Sequence, residues 1–230
     1  MKNKLLPVLE ITVVLAIMLI VKSVADHFKI TGAGSIAIWC AIFIATLFMK
    51  RRKATWRNLG LLLPKGKREW LTNIGLAFLT VVIVFLLMGL VLDPILSYFG
   101  LEKPTDVADR FQFFLGKPLL FIIYLVTVVW IGAALGEELL MRGFFLNRLT
   151  DVFGKNRMGW ITAMIIHATI FGMLHIYQGV AGIITTTFIA LIFGSIYLIA
   201  KKRLFPVILA HLIINTISLT AFFLTGGVVN

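Results

Sequence analysis

Apolar residues occur in long runs that are separated by short polar segments along most of the chain. Each run approaches the roughly 20 residues that an α-helix needs to cross the hydrocarbon core of a bilayer. The pattern therefore predicts an all-α, polytopic integral membrane helix bundle with seven or eight transmembrane helices. The seven predicted spans are Leu5–Val24, Ile30–Met49, Leu71–Val91, Pro118–Leu135, Trp160–Leu174, Val180–Ala200 and Pro206–Leu224.

Composition and charge narrow the class of protein further. Hydrophobic residues make up 60% of the 230 residues and charged residues only 14%, whereas soluble domains are about a quarter charged. The net charge is +12, but the basic residues lie in short clusters between the apolar runs, which indicates membrane topology rather than a nucleic-acid partner. A single integral membrane domain over residues 1–230 is the simplest organisation. The one cysteine, Cys40, cannot form an intramolecular disulfide.

The basic loops predict the orientation of the helices. The most basic loop begins with Lys50-Arg51-Arg52-Lys53, and a second basic cluster is Lys201-Lys202-Arg203. Because cytoplasmic loops are enriched in lysine and arginine, both loops and the N-terminus are predicted to be cytoplasmic. With seven spans the C-terminus would lie outside, and an eighth, broken or re-entrant helix would reverse that side.

Ionisable residues at membrane depth are the first candidates for function, because burying them is costly unless they are paired or used. The acids at such positions are Glu10 and the pair Glu137-Glu138. The histidines in apolar surroundings are His167, His175 and His211. All of these except Glu10 lie in the second half of the chain.

The stretch Glu137-Glu138-Leu139-Leu140-Met141-Arg142 continues the fourth apolar run. Glu138 and Arg142 are four residues apart, the favourable order for an ion pair on a helix. Glu137 would be rotated by about 140° from Arg142 in an α-helix, so it is free to point elsewhere. A lone carboxylate in a low-dielectric site is suited to act as a general base. The same stretch alone is also compatible with a charged helix end at the membrane interface.

Two further pairs share helix faces. Phe171 and His175 are four residues apart, as are His211 and Asn215. Either pair alone is more often a packing or interhelical hydrogen-bonding feature. Taken together, the residues predict hydrolysis by water that Glu137 and His175 activate, with His211 and Asn215 stabilising the oxyanion.

A metal-dependent reaction is the alternative chemistry. His175, His211 and Glu137 could bind a divalent metal such as zinc and leave a position open for water. The sequence H-E-x-x-H of many zinc peptidases is absent. Metal-free catalysis without a cofactor is therefore the preferred interpretation.

The three motifs together, E-E-x-x-x-R, F-x-x-x-H and H-x-x-x-N, resemble the CPBP family of CAAX-protease and bacteriocin-processing (Abi) intramembrane peptidases. The resemblance covers Leu119–Leu219, and it implies a catalytic core within residues 118–224. It implies an endopeptidase acting on a membrane-embedded or lipid-anchored peptide or protein, either as a glutamate peptidase or as a metallopeptidase. The positions that match the family motifs are Glu137, His175, His211 and Asn215 as catalytic residues, with Glu138, Arg142 and Phe171 supporting them.

The resemblance also bears on the source and on alternative functions. A chain of this length with short loops looks like a bacterial or archaeal member, which predicts a prokaryotic cytoplasmic membrane. A non-catalytic membrane regulator or bacteriocin-immunity scaffold of the same fold is the main alternative. A proton-coupled transporter is disfavoured because the sequence contains no inverted repeat. His167 matches no motif position and is expected to pack in the core.

The predicted spans leave a conflict of depth. They put Glu137 and His211 near the cytoplasmic leaflet but His175 about 15 residues into the fifth span, about 23 Å deep. One solution is that the fifth helix begins in a polar cavity below the membrane surface. The other is that Glu137–Leu149 folds back as a separate half-helix lining a water-filled pocket.

Overall fold

A computed structural model describes residues 4–101, 104 and 106–227, and within them the chain is helical and contains no strand. The short turns Trp56–Leu59, Asp106–Asp109, Gln112–Phe114 and Ile176–Gln178 lie in the connections. The all-α prediction is confirmed. The main helices are α1 (Leu5–His27), α2 (Ala33–Arg51), α3 (Gly66–Tyr98), α4 (Pro118–Phe153), α5 (Arg157–Met173), α6 (Gly179–Ile199) and α7 (Phe205–Leu224).

Six of the described helices are long and apolar enough to cross a membrane, namely α1 to α4, α6 with its preceding turn, and α7. Their outward faces carry exposed large apolar side chains such as Phe43, Leu79 and Leu90. The predicted span Trp160–Leu174 corresponds to α5, whose 17 residues extend for about 26 Å, somewhat less than the roughly 30 Å hydrocarbon core. The described residues therefore form a polytopic helical membrane bundle, with six helices long and apolar enough to span and one shorter helix.

Helix α4 is much longer than the span that the sequence predicted. It runs without interruption for 36 residues, through Glu137, Glu138 and Arg142, where the apolar run ends. The predicted end at Leu135 and the alternative of a separate half-helix at Glu137–Leu149 are both wrong. The helix continues because Glu138 and Arg142 are buried and paired inside the protein, so that their charges do not have to reach the membrane surface.

The middle of α4 is wound as a π-helix over Leu125–Glu137 and Leu139–Phe145. In a π-helix the backbone hydrogen bonds join residues i and i+5 rather than i and i+4, and such winding is often found at functional sites. Side chains five positions apart consequently lie closer to the same face than they would in an α-helix. The rotation about the helix axis that separates Glu137 from Arg142 is therefore smaller than expected for an α-helix.

Helices α4 and α5 are antiparallel and are joined by a turn of three residues. The Asn156 side chain ends this turn by accepting a hydrogen bond from the Gly159 amide at 2.8 Å, which caps α5. Farther along, α5 approaches α6 so closely that a side chain at Gly172 would overlap Thr187 Oγ1 and lie 2.8 Å from the Ile183 carbonyl oxygen. Small residues allow this backbone approach between membrane helices.

One end of the bundle, here called the basic face, is formed by the connections 52–65 and 200–204. These connections are joined by a hydrogen bond from the Leu204 amide to the Gly60 carbonyl oxygen at 2.9 Å. Helix α5 begins at this face, where Lys202 Nζ lies 4.1 Å from the centre of the Trp160 ring. Whether the fifth helix begins below the membrane surface stays a prediction.

The long α4 removes the conflict of depth. Glu137 lies 16 positions before Phe153, and His175 lies 18 positions after Arg157. Because the two helices are antiparallel and connected by a short turn, these positions are at nearly the same level in the bundle. The conflict arose from ending the fourth helix too early.

Candidate active site

A buried network joins α4 to α7. Glu138 Oε1 accepts hydrogen bonds from Arg142 Nη1 and from His211 Nδ1, each at 2.9 Å. Glu138 and Arg142 are completely buried, while His211 is partly exposed. The ion pair expected from the spacing is present, and His211 is a second partner that joins residues 73 positions apart.

Aromatic rings enclose the Arg142 guanidinium. Its central carbon lies 5.1 Å from the ring centre of Phe171 and 5.1 Å from that of Phe193, and Nη2 donates to the Ala190 carbonyl oxygen at 3.3 Å. Phe193 also contacts the His211 ring edge-on, with 5.6 Å between centres. Cation–π contacts of this kind stabilise a desolvated guanidinium. Phe171 thus contacts the network, and so does Phe193, which belongs to none of the three motifs.

The two motif histidines, His175 and His211, are each positioned by a hydrogen bond of the ring Nδ1. His175 Nδ1 lies 2.8 Å from the Phe171 carbonyl oxygen, and His211 Nδ1 lies 2.9 Å from the Glu138 carboxylate. Because both partners are acceptors, each Nδ1 carries the proton and donates it. In both rings Nε2 is thereby left without a hydrogen bond to any described residue.

Glu137 differs from its neighbour. It is half-buried, and among the described residues it has no hydrogen bond or ion pair. It lies close enough to Arg142 and Tyr177 for electrostatic interaction with both side chains. Since π winding turns residue i+5 towards the face of residue i, the predicted separation of 140° between Glu137 and Arg142 is too large. Glu137 lies near the network but does not join it.

Asn215 is half-buried on α7, one turn after His211, and forms no hydrogen bond with the described residues. The next residue, Thr216, accepts a hydrogen bond from Trp130 Nε1 on α4 at 2.9 Å. This contact fixes α7 against α4 directly beside Asn215. The amide is consequently available to a ligand, while its helix is held in place.

The sequence did not identify the residues that follow His175. The ring centre of Tyr177 lies 5.9 Å from that of His175, and the Tyr177 hydroxyl accepts a hydrogen bond from Gln178 Nε2 at 2.9 Å. The Arg110 guanidinium lies 4.5 Å from the centre of the Tyr177 ring. The only feature of the sequence that could have indicated Tyr177 was its place in the chain. It is two residues beyond a motif histidine and precedes a new helix.

His167 is completely buried on α5, and neither ring nitrogen has a hydrogen-bond partner among the described residues. It lies close enough to Arg142 for electrostatic interaction between the two side chains. This position agrees with the expectation that His167 packs in the core.

The candidate metal ligands are His175, His211 and Glu137. Within the described part of the chain no group of three His, Cys, Asp or Glu side chains is arranged to hold a metal ion. These three side chains do not form such a set in this arrangement. Catalysis without a cofactor stays a prediction.

All of the motif residues thus lie on α4, α5 and α7 or at their ends, in the C-terminal half of a helical membrane bundle. Residues 118–217 match the family described as Type II CAAX prenyl endopeptidase Rce1-like. The matched region is less than half of the chain, but it contains every residue of the three motifs. No curated protein and no solved structure matches the chain.

The match confirms the resemblance to the CPBP family. Over residues 118–217 the chain is similar to this family of CAAX-type intramembrane peptidases. The six apolar helices and the family together identify an integral membrane protein.

Proposed function

We propose that the protein is an intramembrane endopeptidase that hydrolyses a peptide bond of a membrane-embedded or lipid-anchored substrate. The observation that carries the proposal is the difference between two adjacent carboxylates. Glu138 is fully buried and bound by Arg142 and His211, whereas Glu137 is half-buried and has no hydrogen bond to a described residue. One glutamate is used for structure, and its neighbour is left for chemistry.

Glu137 and His175 are assigned to the activation of water. Nε2 of His175 has a free lone pair because Nδ1 donates to the Phe171 carbonyl. A water molecule between Nε2 and the Glu137 carboxylate would donate one hydrogen to each. As its oxygen attacks the peptide carbonyl carbon, its proton passes to Glu137.

His211 and Asn215 are assigned to the developing oxyanion. The Asn215 amide is a donor in any protonation state, but His211 Nε2 donates only when the ring carries both protons. The Glu138 carboxylate beside Nδ1 is the partner that would stabilise this positive ring. When the tetrahedral intermediate collapses, the C–N bond breaks and Glu137 returns the proton to the leaving amine.

The decisive variant is Glu137→Gln, which removes the base with little change in volume. The purified protein in lipid vesicles would be incubated with a prenylated peptide ending in a CAAX sequence and with the same peptide lacking the lipid, and products would be identified by mass spectrometry. We expect cleavage by the wild type and a loss of at least about 10²-fold in Glu137→Gln. Glu69→Gln, in a partly exposed residue at the start of α3, is the matched control and should retain activity.

The same two forms of the protein can be compared in cells when the substrate is unknown. The peptides released from the membranes of cells that express wild type or Glu137→Gln would be identified and compared. Cleavage that survives in purified Glu137→Gln would refute the assignment of the base. Identical peptide profiles, together with no cleavage by the wild type in vesicles, would instead favour the non-catalytic scaffold.

Removal of divalent metal addresses the second mechanism. We expect activity to persist after dialysis against a chelator, because the proposed steps use only side chains and water. Loss of activity on dialysis and its return with zinc would show that the working enzyme requires a metal, and would favour His175, His211 and Glu137 as its ligands.

The proposal includes the orientation in the membrane. The basic face would lie in the cytoplasm of a prokaryotic cell, together with the N-terminus. In a variant without Cys40, single cysteines at Lys53 and Lys117 would be labelled with a membrane-impermeant reagent in intact cells. Labelling of Lys117→Cys but not of Lys53→Cys is expected, and the reverse pattern would invert the topology.

A further inference from the structure

A polar cavity of about 210 Å³ opens at the basic face, away from the candidate active site. By the roughly 30 Å³ that a water molecule occupies in the liquid, its volume corresponds to about seven waters, which is sufficient for a phosphate group. Loop residues 52–59, the end of α2, the last turns of α4 and the loop after α6 form its walls. Its polar lining consists of Arg52, Asn58, Asn147, Arg148, Thr150, Asp151, Lys155 and Lys202.

Positive charge exceeds negative charge around this cavity. Glu10 Oε2 lies 2.8 Å from Arg148 Nη2 and 3.2 Å from Arg52 Nη2. Asp151 pairs with Arg148 at 2.6 Å and with Lys155 at 3.2 Å. These two carboxylates face four basic side chains, which leaves two positive charges in excess. Among the described residues Lys202 has no carboxylate partner.

The walls also present donors to the cavity. The Arg148 side chain is only 8% exposed, and its Nε has no hydrogen-bond partner among the described residues. Burial and the nearby Arg148 charge lower the pKa of Arg52, and burial and the nearby Lys155 charge lower the pKa of Lys202. Both pKa values are lowered because basic groups lie close together where they are partly shielded from water. An anion bound between them would reduce this repulsion.

We propose that this cavity binds a phosphate group, with Arg52, Arg148 and Lys202 as its donors. Arginine offers a planar fork that matches phosphate oxygens, and lysine adds a compact positive charge. The group could belong to the headgroup of an anionic phospholipid, since the basic face lies where the helices leave the membrane, or to a soluble phosphate compound. The inference does not depend on the proposed peptidase activity.

The test uses the full-length protein purified in a neutral detergent. Binding would be followed by native mass spectrometry and by thermal unfolding, with phosphatidylglycerol, phosphatidylcholine, glycerol phosphate and inorganic phosphate as probes. The cavity variants are Arg52→Gln and Lys202→Gln. The chain offers matched controls one position away, Arg51→Gln and Lys201→Gln, which change the net charge equally but do not line the cavity.

We expect phosphatidylglycerol to bind more tightly than phosphatidylcholine, and each cavity variant to weaken it about five-fold, the value for one basic residue near an anionic headgroup. The control variants should bind as the wild type does. Competition by glycerol phosphate or inorganic phosphate would support the same site and show that it accepts phosphate from water, whereas response to the lipid alone would identify the headgroup as the source. Equal weakening by cavity and control variants, or the absence of any phosphate probe that the wild type binds more tightly than the cavity variants do, would overturn the proposal.

Discussion

Two clusters in this protein are built from the same kinds of side chain but have different surroundings. In the site cluster, Glu138 Oε1 is shared by Arg142 and His211. In the basic-face cluster, Glu10 Oε2 is shared by Arg148 and Arg52. Each therefore consists of one glutamate oxygen, an arginine of α4 and a second basic residue from another helix or its end.

Water access separates the two clusters. The site cluster has a guanidinium with no exposed surface, held between two aromatic rings. In the basic-face cluster Glu10 and Arg148 are also nearly buried, with 3% and 8% of their side chains exposed, but Arg148 and Arg52 line a polar cavity and 26% of the Arg52 side chain is exposed. A desolvated ion pair is costly to break, because the remaining charge has no other partner, whereas a pair beside water can exchange partners. The comparison indicates that one cluster fixes geometry and the other remains able to accept an anion.

The largest expected difference is between Glu138→Gln and Glu10→Gln. Glu138→Gln leaves the Arg142 charge buried without its carboxylate, which should lower the free energy of unfolding by about 3–5 kcal/mol. Glu10→Gln should cost about 1–2 kcal/mol, because Arg148 keeps Asp151 and Arg52 can turn to water. Thermal unfolding of both purified variants in one detergent measures the difference. Equal losses would show that water access does not distinguish the clusters.

His211 and Arg52 are the second donors to Glu138 and Glu10. Their substitution should also lower the free energy of unfolding more in the site cluster than in the basic-face cluster, but by smaller amounts. His211→Gln removes a hydrogen bond to a carboxylate that water does not reach, so we expect a loss of about 1.5–3 kcal/mol. Arg52→Gln removes a partly exposed partner and should cost less than about 1 kcal/mol. Both are measured by the same unfolding experiment, with yields after size-exclusion chromatography as a check of folding. A greater loss in Arg52→Gln would contradict the assignment of Glu138 as the less hydrated carboxylate.

The smallest expected effect is that of salt. Raising the ionic strength from 0.1 to 1 M shortens the screening length from about 10 Å to about 3 Å, but only where ions can enter. The destabilisation caused by Glu10→Gln should therefore shrink at high salt, while that caused by Glu138→Gln should stay constant. The unfolding midpoint of each variant is measured relative to wild type at the same salt concentration. The change of this difference with salt concentration gives one slope for each variant. Parallel slopes would mean that the two clusters are equally accessible.

The sequence predicted the helices well where apolar runs were uninterrupted. It failed at α4, since Glu137, Glu138 and Arg142 resemble a helix end when their partners are unknown. The pair of Glu138 with Arg142 could be predicted because it is local, at i and i+4. The partners of Glu10 could not, because Arg148 lies 138 positions away and only the packing of α1 against α4 brings them together.

The same distinction holds within the candidate site. His175 and His211 could be chosen from their motifs, but the bond from His211 to Glu138 depends on how α7 packs against α4. Phe193 belongs to no motif and resembles other apolar residues of α6, so nothing in the sequence distinguished it. Tertiary contacts of this kind are not encoded in local spacing, and the fold had to supply them.

Helix α4 also determines the angle between the directions that the two clusters face. Glu138 and Arg142 lie on the same uninterrupted helix as Arg148 and Asp151, so the number of residues between them determines which way each cluster faces. Deleting one residue between Arg142 and Arg148 would turn the two clusters relative to each other by about 100° if the helix stayed intact. The number of intervening residues therefore sets the direction that one cluster faces relative to the other.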